Sequence, residues 1–244
     1  MKHQVSPGRP QPVYALKAGN LDVSRETLKE SMDIDGASTE VEEPPSAEVL
    51  EEVFGDRALR AVQYHDMLAS RGVEWGLLGP RETGRLWSRH ILNSTAVQSL
   101  IPADASVVDV GSGAGLPGIP LALARPDLRI TLLDSLLRRV RFLEMAVDEL
   151  GLSDQVCVVR ARAEESTGRY DIVLSRAVAP LWRLIDWCEP LMGGALVAIK
   201  GESAESEVDE AAETMAQRHL TAQVIQVVDQ ASNNSSTVVV VTRV

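Results

Sequence analysis

Residues 106–124 read Ser-Val-Val-Asp-Val-Gly-Ser-Gly-Ala-Gly-Leu-Pro-Gly-Ile-Pro-Leu-Ala-Leu-Ala, and this stretch decides the fold class. It opens with a short β-branched apolar run, which is typical of a strand buried on both faces of a parallel sheet. Glycines follow at 111, 113 and 115, and since they carry no Cβ they permit positive φ and close approach of a ligand to the backbone. The helix predicted next offers free N–H groups and a positive dipole end. This order predicts a cradle for a nucleotide-like ligand, although such a turn is also often only a turn.

The glycine spacing separates two classes of cofactor. A dinucleotide fingerprint, G-x-G-x-x-G, needs its third glycine where this chain has Leu116. The observed D-x-G-x-G-x-G is a better match to a turn built around the amino-acid end of S-adenosylmethionine. We therefore predict S-adenosylmethionine as the cofactor and disfavour a nicotinamide dehydrogenase, whose catalytic acid–base set is also not visible.

An acidic residue closes the next predicted strand. Asp134 ends the strand 128–134, about 20 residues past the turn, where a carboxylate hydrogen-bonds ribose hydroxyls in doubly wound nucleotide folds. The alternative is that Asp134 is the N-cap of the helix that begins near Leu136. One residue can do both.

Strands alternate with helices through the C-terminal part of the chain. The predicted strands are 107–110, 128–134, 156–159, 170–175, 195–199, 224–228 and 237–241, and the predicted helices are 116–125, 136–150, 181–192 and 202–217. The last two strands follow each other without a helix, which predicts an antiparallel edge on a mostly parallel sheet. This ending is typical of the seven-stranded, Rossmann-like class I methyltransferase sheet.

The N-terminal third divides into two predicted segments before the S-adenosylmethionine-binding domain, residues 106–244. Residues 1–46 are polar, contain five prolines and end in an acidic run, so we predict a disordered extension. Residues 47–105 are predicted to form a small helical subdomain.

Two helices are predicted inside this subdomain. The first runs from an Asp56 cap to about residue 71 with Gly72 as its stop, and it carries His65 as a packed core histidine. The second starts after Gly79-Pro80 and runs towards residue 100.

Composition bounds the remaining choices. No apolar run approaches the ~20 residues needed to cross a bilayer, and Cys157 and Cys188 form neither a C-x-x-C motif nor a Cys/His cluster. We expect a cytoplasmic, monomeric protein with no membrane partner, disulfide framework or metal site. The net charge of −11 argues against nonspecific polyanion binding, but a local basic patch is compatible with it.

Two arginine clusters stand out against this acidic background. Arg81, Arg85 and Arg89 are four residues apart, so a helix would place them on one face. A second cluster, Arg138, Arg139 and Arg141, lies in the first turn of a predicted helix, where the dipole favours acids instead. The first cluster either belongs to an ion-paired surface or forms a ridge that contacts phosphates, and both interpretations are open. The second cluster indicates an anionic partner.

A set of motifs in fixed order resembles one enzyme family, from about residue 47 to the C-terminus. The motifs are R-H-I-L-N at 89–93, D-V-G-S-G-A-G-L-P-G-I-P at 109–120, L-L-D-S at 132–135, R-R-V-R-F-L at 138–143, R-A-E-E at 162–165, S-R-A at 175–177 and I-K-G at 199–201. They resemble the bacterial small-subunit ribosomal RNA guanine-N7 methyltransferases, the RsmG/GidB family. The chain departs from the family at Asn93, where Asp is usual, and at Val178, where many members have Phe.

The resemblance implies a class I methyltransferase that uses S-adenosylmethionine to methylate N7 of a guanine near the decoding centre of 16S rRNA, with rRNA or the 30S subunit as partner. By motif, Gly111, Gly113 and Leu116 would contact the cofactor at the turn, Asp134 its ribose, and Ala163 and Glu164 its adenine end. Arg176 would bind the cofactor at the reaction face and is also the one catalytic candidate. Guanine N7 loses no proton on methylation, so no general base is expected.

Several assignments stay open. The predicted RNA contacts are Arg81, Arg85, Arg89, Arg138, Arg139 and Lys200. Lys200 could instead be a solvated strand end, and His90 either orients rRNA or is structural. A methyltransferase of a different substrate and a noncatalytic S-adenosylmethionine-binding RNA module are the alternative functions.

Overall fold

A computed structural model describes residues 42–229 and 233–244 of the chain. Its α-helices are α1 (Ala47–Phe54), α2 (Ala58–Met67), α3 (Asn93–Thr95), α4 (Gly118–Ala124), α5 (Leu137–Glu149), α6 (Leu181–Cys188), α7 (Ala204–Glu210) and α8 (Ala212–Gln217). Its strands are β1 (Ser106–Val110), β2 (Arg129–Asp134), β3 (Val156–Arg160), β4 (Tyr170–Arg176), β5 (Met192–Lys200), β6 (Leu220–Asp229) and β7 (Asn234–Arg243).

The strands form one sheet in the order β3-β2-β1-β4-β5-β7-β6. Neighbours from β3 to β5 are parallel, whereas β7 pairs antiparallel with both β5 and β6. This confirms the predicted class I methyltransferase sheet with its antiparallel edge. The carboxyl ends of β1, β2 and β4 meet at one edge, where open α/β sheets bind their ligands.

Side chains of alternate residues along β1 enter two separate cores. Val107 packs on one face of the sheet with helices α1, α2, α4 and α5, and Val108 packs on the other face with α6, α7 and α8. Both valines are fully buried. The apolar run of β1 is therefore the middle of a three-layer structure, as its continuous hydrophobicity predicts.

The N-terminal helices share a core with the sheet. Phe54 of α1 and Leu132 of β2 belong to the same buried cluster, and the described residues fall in one compact unit. Arg57 Nη1 donates to the carbonyl of Ala122 at 2.8 Å and to Gln155 Oε1 at 2.6 Å, which fixes the helices to α4 and to the residue before β3. The predicted segments 47–105 and 106–244 thus pack as one body.

The first predicted helix is interrupted. Gly55 has φ +53° and ends α1, a 3-10 turn spans Gly55–Arg57, and α2 follows without a side-chain cap. The prediction that Asp56 caps this helix is therefore wrong. Gly72 does not stop it either: the chain passes through a π turn, Leu68–Gly72, and stays helical to residue 74.

The second predicted helix is a series of short turns. A 3-10 turn (Pro80–Arg85) leads to a π turn (Leu86–Leu92), then α3 and a further 3-10 turn (Ala96–Leu100). Because 3-10 and π turns advance by different angles per residue than an α-helix, a four-residue spacing does not keep side chains in line here. The prediction of one α-helical arginine face is wrong, although Arg81, Arg85 and Arg89 are all exposed.

Glu42 brings the chain into the folded body earlier than predicted. Its carboxylate accepts hydrogen bonds from the backbone N–H groups of Trp87 and Ser88, and its own N–H donates to Gly84 O at 2.9 Å. Ser46 then caps α1 by accepting from Val49 N at 3.4 Å. Residues 42–46 are ordered, which corrects the boundary at 46, while the disorder predicted for residues 1–41 lies outside the described residues.

The other boundaries shift by a few positions. The helix predicted over 116–125 begins only at Gly118, and the one predicted over 181–192 ends at residue 191, since Met192 opens β5. The helix predicted over 202–217 breaks at Ala211. β6 and β7 are each ten residues long, so they extend well beyond the predicted strands.

Candidate functional site

The glycine turn lies at the carboxyl end of β1. Gly111, Gly113 and Gly115 have φ of 72°, 60° and 95°, which is the left-handed region that favours glycine. The N–H of Gly111 donates to Leu133 O at 2.8 Å, so the turn is held against the end of β2. A Cβ on Gly111 would come within 2.8 Å of Val178 Cγ2. The side chain of Val178 therefore lies directly over the turn, and only glycine fits beneath it.

Asp134 organises both the turn and the helix after β2. Its side chain is 2% exposed; Oδ2 accepts from Gly113 N at 3.1 Å and Oδ1 accepts from Leu136 N at 2.9 Å. Arg139 Nη1 donates to Oδ2 at 3.3 Å. Leu136 is itself the N-cap residue of α5, so Asp134 supports this helix end from outside it. A carboxylate has about four acceptor positions, and one is left here for a further donor.

A pocket of about 240 Å³ opens beside this carboxylate. Its lining residues are Val110, Gly111, Leu133, Asp134, Ser135, Arg139, Ala161, Arg162, Ala163, Glu164, Val178 and Trp187. The structure thus brings together Gly111, Asp134, Ala163 and Glu164, four of the residues predicted to bind the cofactor. Gly113 and Leu116 are not among the lining residues. Gly113 donates its N–H to Asp134, and Leu116 is buried beside the turn.

Trp187 is a lining residue that sequence reasoning missed. It projects from α6 and sits on the pocket wall with Val178. Spacing on an amphipathic helix does not distinguish a pocket-lining tryptophan from a core residue, so only the fold reveals its place at the site.

Asp109 lies beneath the glycine turn and is buried. Its Oδ2 accepts from Gly118 N at 3.0 Å, whereas Oδ1 has no hydrogen-bond partner among the described residues. Burial raises the pKa of this carboxyl to about 7. S-adenosylmethionine carries cationic sulfonium and amino groups. The unpaired oxygen of Asp109 beneath the glycine turn, the carboxylate of Asp134 and the apolar pocket walls fit such a ligand.

A second pocket of about 910 Å³ adjoins the first, and Val178 lines both. It is lined by Leu77, Leu78, Gly79, Glu82, Arg89, His90, Asn93, Arg176, Ala177, Val178, Ala179, Pro180, Ile199, Lys200, Gly201, Ser203, Glu207 and Glu210. It extends from the end of β4 to the end of β5. Val178 therefore lies between the two pockets.

Arg176 points from the end of β4 into the larger pocket. Its Nη2 lies 3.0 Å from His90 Nδ1, and Nη1 donates to Arg89 O at 3.4 Å and to Ser94 Oγ at 3.5 Å. Burial lowers the pKa of this guanidinium, but an arginine stays protonated in proteins. The structure places the predicted reaction-face cation in contact with His90, a partnership that the sequence analysis did not foresee.

Lys200 is not a solvated strand end, so that alternative is wrong. Its side chain is 6% exposed, and Nζ lies 2.7 Å from Glu207 Oε2 and 2.7 Å from Ala179 O. Glu207 also accepts from Leu181 N at 2.9 Å, at the start of α6. The ammonium lines the larger pocket but is held by α7 and the 177–180 loop, which fits an ordering role better than the predicted RNA contact.

The second arginine cluster is divided. Arg139 lines the smaller pocket and pairs with Asp134, Arg138 reaches Gly76 O at 3.5 Å, and Arg141 is exposed. Of the first cluster, Arg89 lines the larger pocket and lies 3.6 Å from Glu82. Each cluster therefore contributes one arginine to a pocket.

Residues 42–229 and 233–244 contain no group of three His, Cys, Asp or Glu side chains placed to hold a metal ion. Among the helices of those same ranges, none has the length and apolar character to cross a membrane.

Residues 58–236 match the sequence pattern of the family described as GidB, rRNA small subunit methyltransferase G. The chain belongs to this family. Within it, the ribosomal RNA small subunit methyltransferase G of Kineococcus radiotolerans is 55% identical over 179 residues, which cover 72% of this chain and 70% of the relative. The family member of the same name from Thermobifida fusca is 52% identical over 196 residues, covering 78% and 82%.

Solved structures support the fold. A magnesium protoporphyrin IX methyltransferase from Synechocystis PCC 6803 with bound SAM has a TM-score of 0.52 and 15% identity, covering 76% of this chain and 97% of its own. M. jannaschii TYW2 in complex with AdoMet has a TM-score of 0.51 and 17% identity, covering 65% and 78%. At such low identities, the similarity to these two structures shows only that the fold is shared.

Proposed function

We propose that this protein transfers a methyl group from S-adenosylmethionine to N7 of a guanine near the decoding centre of 16S rRNA. The observation that carries the proposal is the pair of adjoining pockets: the smaller holds Gly111, Asp134 and Ala163, the larger holds Arg176, and Val178 lies between them. Membership of the rRNA small subunit methyltransferase G family supplies the substrate class.

The chain's own residues have a positioning task. When bound, the cofactor supplies an electrophilic methyl group, so the N7–carbon bond forms as the sulfur–carbon bond breaks and no proton is lost. The glycine turn and Asp134 would hold the amino-acid and ribose parts in the smaller pocket. Ala163, Glu164 and Trp187 would enclose the adenine end. Since N7 already has a free lone pair, rate enhancement comes from alignment rather than from a general base.

Arg176 would orient the guanine. Arginine donates to the O6 and N7 acceptors at the Hoogsteen edge of guanine, and a contact to O6 alone leaves the N7 lone pair free for the methyl group. The guanidinium is already fixed at the mouth of the larger pocket by His90 and by the carbonyl of Arg89. Such preorganisation favours one orientation of the base.

RNA docking would depend on local arginines, because the chain as a whole is acidic. Arg81, Arg85 and Arg89 are exposed along the segment that forms one wall of the larger pocket. We propose that these three arginines and Arg138 contact phosphates. Arg139 would join them when RNA binding breaks its hydrogen bond to Asp134. We further propose a cytoplasmic protein that acts as a monomer on rRNA or on the 30S subunit.

Mass mapping tests the proposal. 16S rRNA from cells with and without this protein should differ by one methyl group on a single guanine, and the purified protein should restore it. Calorimetry with S-adenosylhomocysteine should show binding that Asp134→Ala weakens by about 1–3 kcal/mol. Binding without any rRNA methylation would favour a noncatalytic RNA module, and methylation of another acceptor would favour the different-substrate alternative.

A further inference from the structure

Three side chains form a hydrogen-bonded line that enters the larger pocket. Glu82 Oε2 lies 2.7 Å from His90 Nε2, and His90 Nδ1 lies 3.0 Å from Arg176 Nη2. Glu82 and His90 come from the consecutive 3-10 and π turns, and Arg176 comes from the end of β4. The contact between His90 and Arg176 joins positions 86 residues apart.

The chemistry of the partners fixes the state of the imidazole. An arginine only donates hydrogen bonds, so His90 Nδ1 must be the acceptor and carry no proton. Nε2 must then carry the ring proton and donate a hydrogen bond to the Glu82 carboxylate. His90 is therefore neutral when the line is intact.

The surroundings of His90 agree with a neutral ring. Its side chain is 11% exposed. Burial lowers the pKa of the imidazole, and the charge of Arg176 lowers it further, against the hydrogen bond to Glu82. The charged groups that face the ring are Glu82 and Arg89 from its own segment and Arg176 from β4.

We propose that His90 is a positioning residue whose neutral Nδ1 holds the Arg176 guanidinium towards the substrate, and that protonation of His90 releases Arg176 and so sets an acid limit on methyl transfer. This extends the proposed function at the same site.

The distances show why the imidazole matters most for Arg176. Its other contacts, to Arg89 O and Ser94 Oγ, are longer at 3.4 and 3.5 Å. A proton on Nδ1 would remove the shortest bond and place two cations side by side, where the His90 side chain is only 11% exposed. The guanidinium would then turn away, and the guanine would lose its partner at the reaction face.

Substitutions at His90 separate holding from titration. Asn places its amide oxygen close to the position of Nδ1 and does not titrate, so His90→Asn should keep most activity near pH 7.5 and lose the acid limb of kcat. His90→Phe offers no acceptor, so kcat should fall about 100-fold near pH 7.5 and show no acid limb, with S-adenosylhomocysteine affinity unchanged. His65→Asn is the matched control, because His65 also has a carboxylate partner, Asp66 at 3.1 Å, and should leave the profile unchanged.

Glu82→Gln moves the limit rather than removing it. The amide still accepts from Nε2–H, but the negative charge that favours the protonated ring is gone. The acid limb should therefore shift to lower pH by about 1 unit. A purely structural role for Glu82 and His90 would lower activity without moving the limb, and that result would overturn the proposal.

An NMR titration of the His90 ring gives a test that does not need activity. Arg176→Met removes a neighbouring cation and should raise the pKa of His90, whereas Glu82→Gln should lower it. If both shifts occur but 16S rRNA is not methylated, the proposed function fails while the coupling of the three groups stands. If rRNA is methylated and neither substitution moves the pKa or the acid limb, the positioning role of His90 is refuted and the function stands.

Discussion

Asp109 Oδ2 accepts a hydrogen bond from the backbone N–H of Gly118 at 3.0 Å, and this bond ties the end of β1 to the first turn of α4 beneath the glycine turn. A Cβ on Gly118 would come within 2.8 Å of the same oxygen, so the approach requires glycine. The other carboxylate oxygen is buried without a partner in the described part of the chain. The bond therefore orders the turn, while the buried, unpaired oxygen of Asp109 lowers the stability of the folded state.

Asp109→Asn should make stability less dependent on pH. Burial raises the pKa of Asp109 from 3.8 to about 7, so the unfolded state ionises first and the wild type loses stability as pH rises between those values. Each pKa unit corresponds to ~1.4 kcal/mol, which sets an upper limit of about 4 kcal/mol on the loss. Asn keeps an oxygen for Gly118 N–H and cannot ionise. Denaturant titrations at pH 5 and pH 8 should show the variant gaining relative to wild type at the higher pH, and Asp154→Asn, at an exposed position, should show no such gain.

Lys200→Met should destabilise the protein before it affects RNA binding. Removing one partner of a buried ion pair leaves the other charge unpaired, at a cost of about 3–5 kcal/mol; the Glu207 side chain is 17% exposed, which places this case towards the lower end. Thermal unfolding should show a lowered Tm, and RNA affinity measured well below that Tm should be nearly unchanged. An unaltered Tm with weakened RNA binding would instead restore the direct phosphate contact.

Replacing Arg85 and Arg89 together by Ala should weaken rRNA binding and flatten its salt dependence. Each phosphate contact with single-stranded RNA contributes about −0.7 to the slope of log affinity against log salt. Affinity for S-adenosylhomocysteine should not change, because neither residue lines the smaller pocket. Arg129→Ala is the control, since Arg129 is exposed at the start of β2, at the opposite end of the strands. If the double variant has the wild-type slope and activity, these arginines belong to a surface ion-pair network.

Two truncations should differ sharply. Deleting residues 1–41 should leave the Tm and activity largely intact, whereas deleting 1–46 removes Glu42, which accepts from Trp87 and Ser88, and Ser46, the cap of α1. Lost hydrogen bonds to a charged group and a lost cap cost about 1–3 kcal/mol each. Glu42→Gln in the full chain should reproduce part of the loss. Equal melting temperatures for the two truncated forms would contradict this role of Glu42.

The strand, turn and helix around Gly111 could be predicted because their signals are local. Continuous burial along β1, positive φ at the glycines and a carboxylate at the end of β2 all follow from short windows of sequence. The same holds for the contact of Asp134 with the helix after β2, which follows from its position two residues before Leu136.

Features that depend on distant partners could not be predicted. The 80–100 segment looks helical by its pattern, but Glu42 binds its backbone from 45 positions away, and its turns are not those of an α-helix. Lys200 looked exposed because Glu207 approaches it only after α7 folds back. The pairing of His90 with Arg176 likewise exists only once β4 has joined the sheet.

Tyr64 of α2 donates its hydroxyl to the carbonyl of Ala114, inside the glycine turn and 50 positions away. Its ring is fully buried in the core that the helices share with the sheet. A change of side chain on α2 is therefore also a change beneath the cofactor turn. In an alignment of relatives, the residue at position 64 and those around 114–119 should covary, and a turn grafted from another methyltransferase should need its own α2 to be accepted.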